Sequence, residues 1–475
     1  MSTSLVNRLA LAGSALALSA CSSMVPATEL PSQAAPQWQA PLPHQGDLVQ
    51  LRDWWQAQGK PLLVRLIDAA QRQSPSVAQA LSRIAQAHAA QAGANAALRP
   101  QPNAAASLQR SAGQPGVAAA SVTSTGLQAR WELDLAGANR ALDQAALAQL
   151  QGSQALWHNA RVSVAAEVAR NDYSLANCQQ LLALARQDAQ SRRETARVSD
   201  ISSRAGLLAP ALSALVQASA AEAANRVTSQ QVTCDMGTKA LVALTGLDEA
   251  DLRQQRARAR ARAQAQASPS RAMTLAVASV PAQALAQHPD VFAAERELVV
   301  ARAQAGSAKA QRCPRLSLNG AIGVARFDGC GLETWSFGPL ALSLPLVDGG
   351  QQVAQVTLAQ TQHAQAVLTC RGQVRQAVRE VEEALLRLNS SAARPDQTEL
   401  AQQGCAQSSV ATQLRHQHGL ASLLELEEAR RVALAADSGL LDLALQRELA
   451  WVALYRALGG GWDRSAAAPA LPAPS

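Results

Sequence analysis

Leucines occupy every second position from Leu340 to Leu346, and small or polar residues lie between them. A period of two is the pattern of a strand with one apolar face and one polar face. The alternation ends at Asp348-Gly349-Gly350, where a long helical pattern begins. This stretch therefore predicts a strand that leads directly into a very long helix.

The same unit occurs upstream, where apolar residues alternate with polar ones from Leu127 to Leu135. Prolines, leucines and glycines in and around this unit repeat at corresponding positions as well. Pro75 and Pro100 are 25 residues apart, as are Pro289 and Pro314. Three further pairs are separated by 213 residues: Leu133 and Leu346, Gly137 and Gly350, and Gly206 and Gly419. A nearly constant offset between markers of the same type predicts an internal duplication.

The first repeat is predicted to cover residues 51–245. Helical patterns follow Asp53-Trp54-Trp55 and Pro75, and a β-hairpin is predicted at about 103–135, with a loop over 113–123. One helix is then predicted from about Asn139 to Arg204, which would be about 100 Å long. A glycine supplies the left-handed conformation that a tight helix end needs, so the helical hairpin is expected to turn near Gly206 and return to about Leu244.

The second repeat is predicted to cover residues 275–460. A helix opens at His288-Pro289-Asp290-Val291, and a β-hairpin is predicted at about 315–347, with a loop over 326–333. The long helix over 351–417 contains Pro395, so a kink or break is expected near Arg394. The hairpin should turn near Gly419, and residues 461–475 are predicted to be disordered.

A charged connector, residues 246–274, joins the repeats, and this equatorial segment contains five arginines between Arg253 and Arg262. A nucleic-acid surface is one interpretation. A solvated face is favoured, because no aromatic residues interleave with the arginines and a leader peptide directs the chain away from nucleic acid. The sequence therefore predicts no nucleic-acid partner.

The N-terminus has the pattern of an exported lipoprotein. Residues 1–20 contain one arginine followed by an apolar run, which is typical of a signal peptide. The run ends at Leu18-Ser19-Ala20-Cys21, which resembles a bacterial lipobox and predicts lipidation of Cys21 and a lipidated arm over 21–50. Ser22 favours the outer membrane. The alternative is an ordinary signal peptide followed by a chance cysteine.

Composition excludes several function classes. The chain has 475 residues, is rich in alanine and glutamine, and has only 3% aromatic residues, which favours long, closely packed helices over a large enzyme core. The formal net charge is +7, diluted over the chain. No glycine-rich phosphate loop, nucleophile elbow or metal-ligand cluster is present, so no catalytic activity, cofactor or metal is predicted.

Four strands of roughly ten residues are long enough to cross a bilayer when tilted. Four strands cannot close a barrel, and open edges cannot face lipid, so closure requires several copies of the chain. A barrel continued by long helices would be a conduit. The alternative is a lipid-anchored coiled-coil scaffold with short hairpins and no pore.

The sequence resembles the TolC-type outer-membrane factors, and specifically their efflux-pump lipoprotein branch (NodT-like). The motifs that carry the resemblance extend through nearly the whole mature chain: Asp53-Trp54-Trp55, Trp131-Glu132-Leu133-Asp134-Leu135, His288-Pro289-Asp290-Val291, Ala294-Glu295-Arg296, Trp335-Ser336-Phe337-Gly338-Pro339 and Leu344-Pro345-Leu346-Val347-Asp348-Gly349-Gly350.

The resemblance implies a mainly α fold with membrane β-structure. Long antiparallel coiled-coil helices would form an α-barrel, and a homotrimer would build a twelve-stranded outer-membrane β-barrel from four strands per chain. Such a channel works with a periplasmic adaptor (membrane fusion protein) and an inner-membrane transporter, most often of the RND type. Its barrel contacts outer-membrane lipid, and its helices extend into the periplasm.

Specific residues carry over from the resemblance. Gly206-Leu207 and Gly419-Leu420 match the two hairpin tips where adaptor hairpins dock, although these glycines also suit simple helix caps. Glu425 and Glu428 match carboxylates that line the periplasmic gate, where three chains would form cation-favouring rings. The alternative for the two glutamates is a solvated helix face.

Two cysteines are symmetric about the first tip. Cys178 lies 28 residues before Gly206 and Cys234 lies 28 residues after it, so an antiparallel hairpin places them at the same height. A disulfide is geometrically feasible there and the periplasm permits it. The helix faces that the two cysteines occupy are left open by the sequence.

The predicted function is that of a passive exit duct in a tripartite efflux pump, which exports small molecules such as drugs across the outer membrane. The lipobox favours efflux over the alternative of a type I protein-secretion duct. A non-conducting coiled-coil protein is the alternative from a different class. The exported substrate is not encoded in these patterns, because selectivity lies mostly in the pump partner.

Overall fold

The computed structural model describes residues 54–111, 120–266, 285, 287–327, 330–345 and 347–462. The predicted leader, the lipidation residue Cys21 and the arm up to residue 50 lie outside the described residues, as do residues 463–475 of the predicted tail.

Helices dominate the chain, and one four-stranded sheet interrupts them twice. The N-terminal half contains α1 (Trp54–Ala57), α2 (Pro61–Gln73), α3 (Pro75–Ala96), β1 (Gln101–Ser111), β2 (Ala120–Leu133), α4 (Ala138–Arg204), α5 (Pro210–Thr245) and α6 (Glu249–Gln266). The C-terminal half contains α7 (Pro289–Ala310), β3 (Arg315–Phe327), β4 (Cys330–Ser343), α8 (Gln351–Ala393), α9 (Pro395–Gln417), α10 (Leu423–Ala457) and a 3-10 turn (Gly459–Gly461).

The sheet is antiparallel throughout, in the order β1-β2-β3-β4. The two hairpins of the two repeats are joined because β2 pairs with β3, with Leu127 opposite Ile322. Two predicted loops are too long: β2 begins at Ala120 and β4 begins at Cys330, because neighbouring strands supply hydrogen-bond partners to these small and polar residues. The last strand ends at Ser343 rather than near 346, since Pro345 has no N–H to continue a ladder.

The two faces of the sheet differ in polarity. Residues directly opposite each other in an antiparallel sheet share a face. One face is therefore apolar and includes Ala104, Leu108, Leu127, Trp131, Leu133, Leu316, Leu318, Ile322, Trp335, Phe337, Leu340 and Leu342. The other face is small and polar and includes Asn103, Ser107, Ser124, Gln128, Arg130, Glu132, Ser317, Asn319, Ser336, Ala341 and Ser343.

An aspartate caps the helix that follows each hairpin. Asp134 accepts hydrogen bonds from the backbone N–H groups of Asn139 and Arg140 at 3.1 and 2.8 Å. Asp348 accepts hydrogen bonds from Gly350 and Gln352 at 2.9 and 2.7 Å, which holds the pKa of its carboxyl below the usual value. These bonds satisfy the free N–H groups of the first helical turn, so each strand passes directly into a helix.

Two antiparallel helical hairpins extend away from the sheet. Helix α4 has 67 residues, which corresponds to about 100 Å, and α5 returns along it. The predicted interruption at Pro395 is present, because α8 ends at Ala393 and α9 begins at Pro395. Helix α10 packs against α8 and α9 and also contacts α4, so it links the two hairpins.

The main core lies where the shorter helices meet the long ones, and we call this region the waist: residues 54–70, 162–182, 234–252, 381–388 and 450–458. Trp54 stacks on Tyr455 with ring centroids 5.1 Å apart, and Trp55 meets the same ring edge-on at 4.9 Å. Trp54 and Trp55 therefore pack the N-terminal helix α1 against the C-terminal helix α10. Gly59 (φ +66°) separates α1 from α2, where one helical pattern was predicted.

Two boundaries differ from the sequence prediction. The connector 246–274 contains a helix, α6, whose Leu252 is fully buried and whose Arg256 forms an ion pair with Asp172. The prediction of a purely solvated segment was therefore wrong for these two residues. The prediction of a disordered tail was wrong for Gly461 and Trp462, because both are buried and Trp462 packs on Phe292.

Within the described residues, no helix combines the length and the apolar content that crossing a bilayer would require.

Candidate functional site

The end of the molecule farthest from the sheet consists of two similar turns. Gly206 (φ +75°) ends α4, and the N–H of Leu207 donates to the Ser202 carbonyl at 2.9 Å. Gly419 (φ +73°) ends α9, and the N–H of Leu420 donates to the Arg415 carbonyl at 2.8 Å. Both turns are Schellman caps, in which a left-handed glycine lets the next N–H satisfy a carbonyl of the last helical turn.

The leucine after each glycine is not used by the cap. Leu207 is 83% exposed and Leu420 is 69% exposed in the single chain. No Cβ clash prevents a larger residue at Gly206 or Gly419, so only the positive φ requires glycine there. The cap therefore explains the glycines, and the exposed leucines are left available for contact with another surface.

Glu425 and Glu428 lie in the first turns of α10 and face a groove of about 770 Å³ between α9 and α10. Both side chains are about half exposed. Each has a cationic neighbour that sequence reasoning missed, since Arg415 lies 3.9 Å from Glu425 and Arg431 forms an ion pair with Glu428. The groove therefore carries two carboxylates whose charge is partly balanced within the chain.

The glutamate between them, Glu427, points away from the groove and is largely buried. Its Oε2 accepts hydrogen bonds from Arg192 at 2.6 Å and from the Ser219 hydroxyl at 2.9 Å, and its Oε1 lies 3.2 Å from Arg430. Arg192 also contacts both oxygens of Asp188 at 3.0 Å. This cluster, Asp188, Arg192, Ser219, Glu427 and Arg430, joins α4, α5 and α10 close to the tips.

Sequence reasoning missed this buried cluster. The i,i+4 spacing of Asp188 and Arg192 was a local signal for one ion pair. The contribution of Glu427 had no local signal, because Glu427 lies 235 residues from Arg192 along the chain. Only the packing of α10 against α4 brings them together.

Cys178 on α4 and Cys234 on α5 face each other and form a disulfide in the structure, with Cα atoms 5.6 Å apart. Both residues are buried in the waist core. The structure thus places both cysteines on the facing sides of the two helices, which the sequence had left open. Cys370 and Cys405 are free cysteines, and Cys370 is buried.

The motif His288-Pro289-Asp290 is a buried helix cap at the waist. His288 Nδ1 accepts the N–H of Asp290 at 3.2 Å, and Asn159 donates to Asp290 Oδ1 at 2.7 Å. Burial lowers the pKa of the His288 imidazole and raises the pKa of the Asp290 carboxyl. This motif therefore serves folding, and among the described residues no acidic, histidine or cysteine group is placed to hold a metal ion.

Comparison with known proteins is decisive for the family. A family model described as outer membrane efflux protein matches residues 66–247 and, a second time, residues 280–460. The chain belongs to this family. The efflux channel is also 32% identical to the outer membrane protein OprJ of Pseudomonas aeruginosa over 469 residues, which cover 94% of this chain and 95% of OprJ.

Two further relatives support the assignment of the efflux channel. Nodulation protein T of Rhizobium leguminosarum is 27% identical over 433 residues, which cover 89% of this chain and 86% of that protein. The crystal structure of a membrane protein from Pseudomonas aeruginosa has a TM-score of 0.80 and 27% identity, covering 92% of this chain and 100% of that chain.

These matches confirm the predicted family and fold class, an α-barrel joined to a trimeric β-barrel. The protein is an outer-membrane efflux channel of the tripartite type. Channels of this family are not enzymes, form trimers, and work with adaptor and inner-membrane pump components.

Proposed function

We propose that three copies of this chain form the exit duct of an efflux pump that carries small molecules out of the periplasm. The observation that carries this proposal is the polarity of the sheet, whose strands have one apolar and one polar face and continue into helices about 100 Å long. An apolar exterior suits lipid, and a polar interior suits water and solutes.

Further parts of the proposal concern the anchor and the partners. Lipidation of Cys21 would attach the mature N-terminus to the outer membrane, and an RND-type transporter with its adaptor would supply the cargo. The two tips, Gly206-Leu207 and Gly419-Leu420, would dock the adaptor. Their support is the pair of exposed leucines that protrude from otherwise satisfied caps.

The proposed gate is formed by Glu425 and Glu428. Their support is position and exposure: both lie one or two turns beyond the second tip and line a groove rather than a core. In a trimer, three copies would place six carboxylates around the axis, and such rings favour cations. Arg415 and Arg431 would reduce this preference without removing it, because exposed ion pairs are weak and screened.

The test of the duct is planar-bilayer conductance of the detergent-purified protein, combined with the mass of the assembly. A trimer that gives discrete, cation-preferring channels is expected. A monomer or dimer that never conducts would support the coiled-coil scaffold instead. Transport of an unfolded polypeptide but not of small dyes in a reconstituted pump would support the secretion duct.

The test of the gate is the double substitution Glu425→Gln with Glu428→Gln. We expect the cation-to-anion permeability ratio to fall by about threefold or more, because rings of carboxylates set this ratio. The matched control is Glu194→Gln with Glu222→Gln, which removes the same charge from the first hairpin. Equal permeability ratios in the wild type and the gate variant would refute the gate assignment.

A further inference from the structure

A basic pocket of about 830 Å³ lies at the waist, bounded by α2, α4, α6 and α10. Its volume is within the usual range for small-ligand sites. Basic residues come from two elements: Lys60 and Arg65 from the start of α2, and four arginines from α6.

Six cations and two carboxylates line the basic pocket. The two carboxylates are already paired, since Lys60 lies 2.9 Å from Glu448 and Arg256 forms an ion pair with Asp172. Within the described part of the chain, four exposed arginines of the lining form no ion pair; they are Arg65, Arg258, Arg260 and Arg262. The pocket therefore has a surplus of guanidinium groups with no internal counter-charge.

The rest of the lining is mixed rather than uniformly polar. Amides are supplied by Asn177 and Gln180, and apolar surface is supplied by Leu441 and Leu445. Tyr173 also lines the pocket, and its buried hydroxyl has no hydrogen-bond partner. Apolar surface, amides and an unsatisfied hydroxyl beside cations suit an organic anion better than an inorganic ion.

We propose that the basic pocket binds an extended peptide with two or more carboxylates, and that the peptide stems of the cell wall are its source. Guanidinium groups bind carboxylates through two parallel hydrogen bonds. Arg258 and Arg262 are one helical turn apart on α6, and Arg65 lines the pocket from a different helix, α2, so separate carboxylates can be held at separate points.

The distance of the pocket from the proposed membrane argues against lipid headgroups as the ligand. Asp172, which pairs with Arg256, lies 34 residues after Ala138 at the sheet end of α4, and this corresponds to about 50 Å along the helix. This step rests on the proposed membrane position of the sheet. At that depth the cell wall is the carboxylate-rich polymer, and one such pocket is much smaller than a stable protein–protein interface.

The test is co-sedimentation of the full-length, detergent-solubilised trimer with purified cell-wall sacculi. The variant is Arg258→Gln with Arg262→Gln, whose side chains are exposed and unpaired in the fold. We expect the fraction that sediments to fall by about tenfold, because two charge-assisted hydrogen-bonding groups are lost. Sacculi with their carboxyl groups amidated should retain the wild-type protein equally poorly.

The matched control is Arg193→Gln with Arg197→Gln, two exposed arginines with the same i,i+4 spacing on α4. The inference is overturned if this control loses as much binding as the α6 variant, if the α6 variant binds as the wild type does, or if amidated sacculi still bind. Cross-linking from the pocket to an acidic protein, without sacculus binding, would also overturn it. Conductance is measured on the same preparations. A protein that does not conduct but still binds sacculi, and loses this binding in the α6 variant, would refute the proposed duct and leave the proposed pocket standing.

Discussion

Two glycines determine how closely the hairpins of the two repeats can approach. Gly126 of β2 lies directly opposite Gly323 of β3 on the polar face. A Cβ atom at Gly126 would lie 2.5 Å from the Ile322 carbonyl oxygen, and one at Gly323 would lie 2.5 Å from the Thr125 carbonyl oxygen. Neither glycine has a positive φ, so close contact between the strands is the reason for glycine here.

Replacing Gly323 by alanine should therefore weaken the contact between the repeats. We expect a cost of about 1–3 kcal/mol, because backbone atoms rather than a flexible side chain must move. The measurement is the fraction of heat-resistant trimer on gels of outer-membrane preparations. Gly320→Ala is the control, since its Cβ would lie 3.6 Å from the Ser336 carbonyl oxygen. Equal losses in both variants would contradict the close-contact explanation.

At the scale of elements, the two helical hairpins are joined near their tips by the buried cluster around Arg192. Arg192 and Asp188 are less than one tenth exposed, and Glu427 is nearly as buried. Buried charges are tolerated only when they are paired and hydrogen-bonded. The cluster meets this condition because Ser219, Arg226, Arg430 and Thr195 add further polar contacts.

Substituting Arg192 by methionine should destabilise the attachment of α10 to the first hairpin. A loss of about 1.5–3 kcal/mol is expected, because Asp188 and Glu427 would both lose the guanidinium group that they share and would keep only Arg226 and Arg430 as cationic partners. The measurement is the thermal midpoint of the detergent-solubilised trimer. Arg197→Met, which removes an exposed ion pair with Glu194, should cost less than about 1 kcal/mol. Similar midpoints for the two variants would contradict the role of the buried cluster.

The disulfide joins α4 to α5 within the first hairpin. Because the cysteines are separated by 56 residues, cross-linking restricts the unfolded chain and should stabilise the fold by about 4 kcal/mol. Non-reducing peptide mapping should find Cys178 linked to Cys234. Reductant should lower the thermal midpoint of the wild type but not that of the Cys178→Ser, Cys234→Ser variant. Free thiols at both Cys178 and Cys234 in protein purified from outer membranes without reductant would rule the disulfide out.

At the scale of the whole molecule, the sheet separates two environments. The alternation of adjacent residues means that Leu340 belongs to the apolar face and Ala341 to the polar face. Leu340 is opposite Leu318, and Ala341 is opposite Ser317. A single residue step therefore moves a side chain from the lipid side of the proposed barrel to its water side.

Arginine at these two positions should have different effects. Leu340→Arg should reduce the amount of assembled trimer in the outer membrane, since a lipid-facing arginine costs about 2–4 kcal/mol per chain at the midplane and less toward the end of the strand, where Leu340 lies. Ala341→Arg should assemble and shift single-channel conductance. The measurements are trimer yield in outer-membrane fractions and conductance in planar bilayers. Normal assembly of the Leu340 variant would contradict the proposed lipid face.

The elements were largely predictable from the sequence, because periodicity is a local property. The long helix after Gly137, the break at Pro395 and the four strands all follow from spacing, proline and glycine. The errors occurred where a neighbouring strand or helix adds hydrogen bonds or buried surface that the periodicity of the segment does not show. Examples are the extended starts of β2 and β4 and the helix α6, which is held by Leu252 and Arg256.

The candidate sites were predictable to different degrees. The two tips followed from glycine spacing, since a left-handed cap is a local requirement. The acidic groove was only partly predicted: Glu425 and Glu428 were identified, whereas Arg415, Arg431 and the orientation of Glu427 away from the groove were not. The orientation of neighbouring side chains on one helix depends on what packs beside it, and that is not a local property.

The sequence by itself determined the duplication, the alternating strands, the long helices and the family, because each of them follows from residue type and spacing along the chain. The tertiary structure alone decided which charges meet. Arg192 with Glu427, Arg256 with Asp172, and the unpaired arginines of the basic pocket all result from contacts between helices far apart in the chain. Charge pairing depends on distances of a few ångströms, which spacing along a sequence cannot specify.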